Sequence, residues 1–217
     1  MKARANFRAR VRNISEFDGF ILAGGASSRM GFDKSRLRIG GRTFVERIAE
    51  ALYSVAARVS VVSSRDDAAS HGLRVVRDVH AGRGALGGIH AALASGRAPR
   101  AFVVSCDLPF VTPELFARLA EFTGQSSDAV APVQEDGRQQ PLCAIYSREA
   151  CLPVAAELIR EGDLRPRSLL QRVRTRFVAF DELSDLESSE LFFANVNTPE
   201  DYEKAKLKMP AAKESRQ

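Results

Sequence analysis

Two rhythms of apolar residues alternate through the first 128 positions of the chain. Residues 17–22 form a short apolar run that stops at Gly24 and Gly25, the pattern of a buried strand, and a glycine-rich loop follows through Gly31. From Thr43, an acceptable N-cap, Phe44, Ile48, Leu52 and Val55 recur at helical spacing, and Val45, Ala49 and Ala56 widen the same stripe. The run V-S-V-V at 59–62 predicts a second strand and residues 73–76 a third. Residues 86–95 read as a helix, and 101–105 as a further buried strand ending at Cys106 and Asp107. Pro113 then opens a helix, with Thr112 as its cap and Glu114 in its first turn.

Strands alternating with helices predict an α/β protein: a mostly parallel sheet covered on both faces, in three α/β/α layers. After Asp128 the rhythm changes. Residues 129–133 and 141–146 read as strands flanking E-D-G-R at 135–138, a hairpin that brings an antiparallel element into the C-terminal half. Helices around 149–160 and 167–173, a strand at 176–180 and a last helix from Thr198 and Pro199 complete the pattern.

Composition narrows the class. At 217 residues, 45% hydrophobic and 27% charged, the chain suits one globular domain. No apolar run approaches the ~18 residues of a membrane-spanning helix, and the basic N-terminus lacks the apolar core and cleavage site of a secretory signal, so a cytoplasmic protein is expected. Cys106, Cys143 and Cys151 form no C-x-x-C and suit a reducing compartment. The net charge of +5 sits in Lys2, Arg4, Arg8, Arg10 and Arg12, and the rest of the chain balances 27 basic against 27 acidic residues. Residues 1–15 are therefore expected to be a solvated, disordered extension, 16–209 a single domain and 210–217 a frayed tail. Nucleic-acid binding by the body has no compositional support.

In an open parallel sheet, ligands sit beyond the carboxyl ends of the strands, so residues that directly follow strands carry the chemistry. Three clusters do so. In L-A-G-G-A-S-S-R-M-G-F-D-K-S, residues 22–35, Gly24, Gly25 and Gly31 allow close backbone approach while Arg29 and Lys34 supply positive charge, a combination suited to a polyphosphate. It is not a Walker A loop, because Phe32 and Asp33 separate Gly31 from Lys34. In R-D-V-H-A-G-R-G-A-L-G-G, residues 77–88, Gly82, Gly84 and Gly87 formally match the dinucleotide fingerprint, but mid-chain rather than at the first strand. Read structurally, these glycines permit tight helix-to-sheet contact, and Asp78 is placed to accept hydrogen bonds from a base or ribose. In S-C-D-L-P-F, residues 105–110, Asp107 is either a turn former or a ligand for a divalent cation shared with substrate phosphates.

Near the C-terminus, N-V-N-T-P-E-D at 195–201 places Asn195 and Asn197 on one face of a strand ahead of a helix capped by Thr198; Asn197 either caps or faces the site. His71, His80 and His90 have no metal-ligand spacing, and no Ser-His-Asp set is evident, which argues against zinc chemistry and serine hydrolysis.

With these clusters in place, the chain resembles the molybdenum cofactor guanylyltransferases of the nucleotidyltransferase superfamily. Their hallmark L-A-G-G-x-S-x-R-M-G-x-D-K after the first strand reads LAGGASSRMGFDK here. The resemblance runs over residues 17–206 and takes in Asp78 before GRGALGG, CDLPF at 106–110, QPLCAIY at 140–146 and NVNTPED. Gly25 favours the guanylyl branch, since cytidylyltransferases acting on the same cofactor more often read L-A-A-G there. The resemblance implies a Rossmann-like nucleotidyltransferase fold. It also implies nucleotide contacts at Leu22, Ala23, Gly24, Gly25, Lys34, Asp78 and Asp107, with Arg29, Lys34 and Asp107 as the catalytic set. Mg²⁺, or Mn²⁺, would lie on Asp107, with Asn197 as a further candidate ligand.

Two positions depart from the family pattern. Ser64 stands where a nucleotide-contacting asparagine is expected, and Ala85 replaces the proline of G-P-L-x-G. Serine keeps one donor and acceptor but not an amide's pattern, so the departure bears on base recognition rather than on phosphate chemistry.

The implied reaction is transfer of GMP from GTP to molybdopterin with release of pyrophosphate; apo-molybdoenzymes or their chaperones are further candidate partners. The alternatives are a relative using CTP, one using another phosphorylated acceptor such as a sugar phosphate or phospholactate, or a nonenzymatic nucleotide-binding or cofactor-delivery protein. QPLCAIY and the hairpin before it fall on the acceptor side, where no spacing argument assigns a residue.

Overall fold

The structure, a computed structural model, describes residues 13–23, 36–64, 71–78, 80, 82–124 and 126–208. Seven strands form one sheet: β1 (Phe17–Leu22), β4 (Arg58–Ser63), β5 (Arg74–Arg77), β6 (Arg100–Ser105), β7 (Ala129–Pro132), β8 (Cys143–Ser147) and β9 (Thr175–Val178). Two short strands, β2 (Arg38–Ile39) and β3 (Arg42–Thr43), make a separate hairpin. The sheet order is β5-β4-β1-β6-β8-β7-β9. β8 runs antiparallel to both β6 and β7, and the other pairings are parallel. The hairpin read around E-D-G-R is the β7–β8 pair, in register Ala129↔Tyr146 and Val130↔Ile145.

Six α-helices are present among the described residues: α1 (Phe44–Leu52), α2 (Gly84–Ser95), α3 (Pro113–Glu121), α4 (Arg148–Glu161), α5 (Pro166–Arg172) and α6 (Pro199–Lys208). Alternation along the central strands assigns their side chains to two cores. Ile21, Val61, Phe102, Val104 and Ile145 join α1 and α3 on one face. Phe20, Val62, Val103, Ala144 and Tyr146 join α2, α4 and α5 on the other. These are the three layers expected from the sequence. Caps set the helix starts: Thr43 accepts from the Glu46 amide at 3.2 Å while its own amide donates to the Glu46 carboxylate at 2.7 Å, and Thr112 accepts from Leu115 at 3.3 Å.

β1 hides a charge. Asp18 is only 3% exposed, yet it accepts from Arg58 Nε at 3.0 Å and from the amides of Arg97 and Ala98 at 2.7 and 2.9 Å. Burial alone would raise its pKa, but the Arg58 and amide hydrogen bonds outweigh it and hold the carboxyl below the ordinary value of 3.8. Because the folded pKa is depressed, this stabilisation is present above pH ~4 and is lost as the pH falls through the folded value. Asp18→Ala leaves two amides without acceptors and is expected to cost about 2–3 kcal/mol in urea unfolding at pH 7, with a smaller penalty at pH 3. An equal penalty at both pH values would contradict the role given to the ionised carboxylate.

Near the two ends of the described chain the structure departs from expectation. Ile14–Glu16 forms a 3₁₀ turn capped by Asn13, with Ile14 packed on the core, so described structure begins inside the 1–15 segment expected to be extension. Residues 195–197 belong to no strand; Val196 is buried between exposed Asn195 and Asn197. The exposed-buried-exposed pattern expected along a strand is therefore present without one. All three cysteines are free and buried, and burial pushes the Cys143 and Cys151 thiols up to about 12.

Candidate active site

From β1 the chain crosses to β4 and β5 on one side and then returns from β5 to β6 on the other, so the strand order reverses between β1 and β6. The crevice outside the carboxyl ends of these two strands is where an open α/β sheet takes a ligand. The first glycine-rich loop leaves from there. Gly24, Gly25, Arg29 and Lys34 lie outside the described residues, and their roles rest on the sequence.

The described candidates align along the same edge. Ladder contacts continue one residue past the strands: the Ala23 amide donates to Val62 at 2.9 Å, the Cys106 amide to Leu22 at 3.1 Å and the Asp78 amide to Ser63 at 3.0 Å. Because Ser63 is in register with Arg77, Ser64 and Asp78 leave adjacent strands side by side. Across β5-β4-β1-β6 the order is Asp78, Ser64, Ala23, Asp107. Three strand spacings make this row about 14–15 Å long, a cradle for an extended nucleotide.

Asp107 is fixed through its backbone. The following amide, Leu108, donates to Ser105 at 3.2 Å, and the Asp107 carbonyl accepts from the Val196 amide at 3.0 Å. That second bond brings the N-V-N segment against the end of β6. The half-buried Asp107 carboxylate has no hydrogen-bond or ion-pair partner among the described residues. Asp107 thus takes part in the turn through its backbone, and its side chain is engaged by none of the described residues.

Asn197 is exposed, its amide donating to the Asp201 carboxylate at 3.0 Å, while Thr198 accepts from the Asp201 amide at 3.1 Å. Thr198 is thus the cap expected from the sequence. Leu22 contributes differently from the polar candidates: its side chain is buried under α2, and a Cβ at Gly88 would stand 3.3 Å from it.

The glycines of the second cluster serve two purposes: Gly82 and Gly84 take positive φ of 85° and 62° with open space around a Cβ, whereas Gly87 and Gly88 are close-packed. A Cβ at Gly87 would meet the His80 carbonyl at 3.1 Å and Asp78 Oδ1 at 3.3 Å, so the start of α2 is pressed onto the turn in which Asp78 Oδ1 accepts from the His80 amide at 2.9 Å. The fingerprint also follows β5, an edge strand away from the crevice. Sequence spacing missed one feature: the His80 and His90 rings meet edge-on with centroids 4.6 Å apart. Burial pushes the His90 imidazole below its ordinary value and His80 adds to this, against an opposing pull from Asp78. A loop residue and a helix residue share no periodicity, so no sequence signal joins them.

A mostly parallel sheet covered on both faces, with Asp78, Ser64, Ala23 and Asp107 aligned along the carboxyl edge at its switch point, defines an α/β protein built to take a ligand there. Comparison with known families takes this a step further: the chain belongs to the MobA-like NTP transferase domain family, whose pattern matches residues 19–177. It is 38% identical over 191 residues to the probable molybdenum cofactor guanylyltransferase of Pelotomaculum thermopropionicum, covering 87% of this chain and 91% of the relative. The molybdenum cofactor guanylyltransferase of Desulfosudis oleivorans is 31% identical over 197 residues, covering 90% and 96%. The crystal structure of molybdopterin-guanine dinucleotide biosynthesis protein A from Archaeoglobus fulgidus superposes with a TM-score of 0.73 at 25% identity, covering 88% of this chain and 97% of that one.

Proposed function

We propose that this chain transfers GMP from GTP to the terminal phosphate of molybdopterin, releasing pyrophosphate and forming the guanine dinucleotide. The observation that carries the reading is the row Asp78, Ser64, Ala23, Asp107 along one sheet edge, with the Asp107 carboxylate, unengaged among the described residues, next to the end of β1.

An oxygen of the acceptor phosphate attacks the α-phosphorus in line, the bond from that phosphorus to the bridging oxygen breaks, and pyrophosphate leaves. No covalent enzyme intermediate is needed, which suits a site without a Ser-His-Asp set. Catalysis is then positioning plus neutralisation of charge. Lys34 and Arg29 are assigned to the triphosphate, and the amides of Gly24 and Gly25 to the same oxygens. Asp78 and Ser64, farther along the edge, take the nucleoside. The Asp107 carboxylate, unengaged among the described residues, is an oxygen donor that suits a hard cation shared with phosphates, and Asn197 follows the residue bonded to the Asp107 backbone. When bound there, Mg²⁺ or Mn²⁺ would offset charge on the reacting phosphates.

No described helix is long and apolar enough to cross a membrane. We place the reaction in the cytoplasm, where buried free thiols persist.

A calorimetric titration with GTP, CTP, ATP and UTP in the presence of Mg²⁺ tests the nucleotide. GTP is expected to bind at least ~10-fold more tightly than the others, a difference of about 1.4 kcal/mol. Tighter CTP binding would overturn the guanylyl assignment while leaving the transfer chemistry standing.

A further inference from the structure

The carboxyl edge of the sheet continues past the nucleotide row. β7 and β9 are parallel to β6, and their carboxyl ends are level, with Pro132 in register with Val178. The segments that leave them, 133–136 and 179–181, therefore open on the same side of the sheet as Asp107. Between them and the 3₁₀ turn Ser189–Leu191 lies an open cleft of about 440 Å³, lined by Gln134, Glu135, Phe180, Glu190, Phe193 and Ala194 among others. This volume is within the usual range for small-molecule sites, ~300–1,000 Å³.

The lining has a distinct chemistry. Phe180 and Phe193 are half-buried aromatic walls, and Phe193 is braced edge-on by the fully buried Phe192 at 6.2 Å. Glu135 and Glu190 are exposed and have no hydrogen-bond or ion-pair partner among the described residues, whereas Asp136 is held by Arg138 at 2.7 Å. The hairpin also contains Gln139, bridged to Val133, whose buried Oε1 has no partner among the described residues.

We infer that this cleft receives the pterin bicycle of the acceptor, an inference that rests on the proposed transfer to molybdopterin. A pterin is a flat, uncharged heterocycle whose ring N–H and exocyclic amino group form a paired donor edge. A carboxylate accepts from both at once, and aromatic faces cover the ring. The acidic lining repels the other end of the acceptor, its phosphate, and directs it away from Glu135 and Glu190. The route away is short: Ala194 lines the cleft, and two residues on, within about 7 Å of extended chain, the Val196 amide is bonded to the Asp107 carbonyl. The same negative charge keeps a nucleoside triphosphate out of the cleft. One sheet edge thereby holds two subsites of opposite electrostatic character, with Asp107 between them.

The test is steady-state kinetics of the full-length double variant Glu135→Gln/Glu190→Gln, with Asp136→Asn as the cleft control. Both changes in the double variant replace exposed, unpartnered carboxylates, so folding is expected to be unaffected. The KM for molybdopterin is expected to rise at least ~10-fold, as loss of a charge-assisted hydrogen-bond pair implies, with the KM for GTP changed less than twofold. A KM for molybdopterin within twofold of the parent would overturn the inference, and so would an equal effect of Asp136→Asn. Fluorescence anisotropy of 6-hydroxymethylpterin, read without turnover, separates this inference from the one it rests on. Pterin binding lost in the double variant supports the cleft even if the transfer reaction fails, and equal binding by both proteins contradicts it.

Discussion

Asp107→Ala is expected to lower kcat/KM for GTP-dependent transfer by at least ~100-fold, about 2.7 kcal/mol on the transition-state scale, while Tm shifts by no more than about 2 °C. The two halves of this expectation have separate causes. The structural contacts of residue 107 run through its backbone, whose carbonyl accepts from Val196 at 3.0 Å, and alanine keeps that bond. The carboxylate, unengaged among the described residues, is the part assigned to the cation and the reacting phosphates. Its removal should therefore act on kcat and on the Mg²⁺ concentration needed for half-maximal rate, with little effect on folding. Asp107→Asn keeps the shape and loses the charge, so it should fall nearly as far. A loss below threefold in either variant would remove Asp107 from the catalytic set.

Lys34→Ala is expected to reduce kcat/KM by a comparable ~100-fold. A cation that meets charge developing between the α-phosphorus and departing pyrophosphate is worth more in the transition state than in the bound substrate, so turnover should suffer more than GTP binding. Calorimetry on the variant should then show a Kd for GTP raised by a smaller factor than kcat/KM falls. Lys34→Arg tests geometry against charge, since a guanidinium retains the charge but presents it as a planar fork. A change below threefold for Lys34→Ala would refute the assignment.

What could be read from the sequence was what is local in it. The β1 run, the Thr43 and Thr112 caps and the E-D-G-R hairpin are set by neighbours a few residues apart, and the structure places all of them as expected. The expectation of a phosphate loop came from glycines and cations clustered at 22–35, of which Leu22 and Ala23 are among the described residues. Asp18 was not, because its partners Arg58, Arg97 and Ala98 are at least 40 positions away and it sits inside an apolar run. The adjacency of Ser64 and Asp78 depends on β4–β5 register, which no spacing along the chain encodes. The cleft walled by Phe180 and Phe193 needs β7 beside β9, a pairing between segments more than 40 residues apart. N-V-N keeps the exposed-buried-exposed pattern read as a strand, but its Val196 amide bonds the Asp107 carbonyl instead of a sheet partner, a contact that no local spacing encodes.

The central claim is guanylyl transfer at the switch-point edge of the sheet, and the most direct measurement is incubation of the purified chain with GTP labelled at the α-phosphate, Mg²⁺ and molybdopterin. The account predicts label in a guanine dinucleotide, one pyrophosphate released per label transferred, and no label retained on the protein after denaturation. Pyrophosphate release that does not depend on molybdopterin, or label bound covalently to the chain, would contradict it.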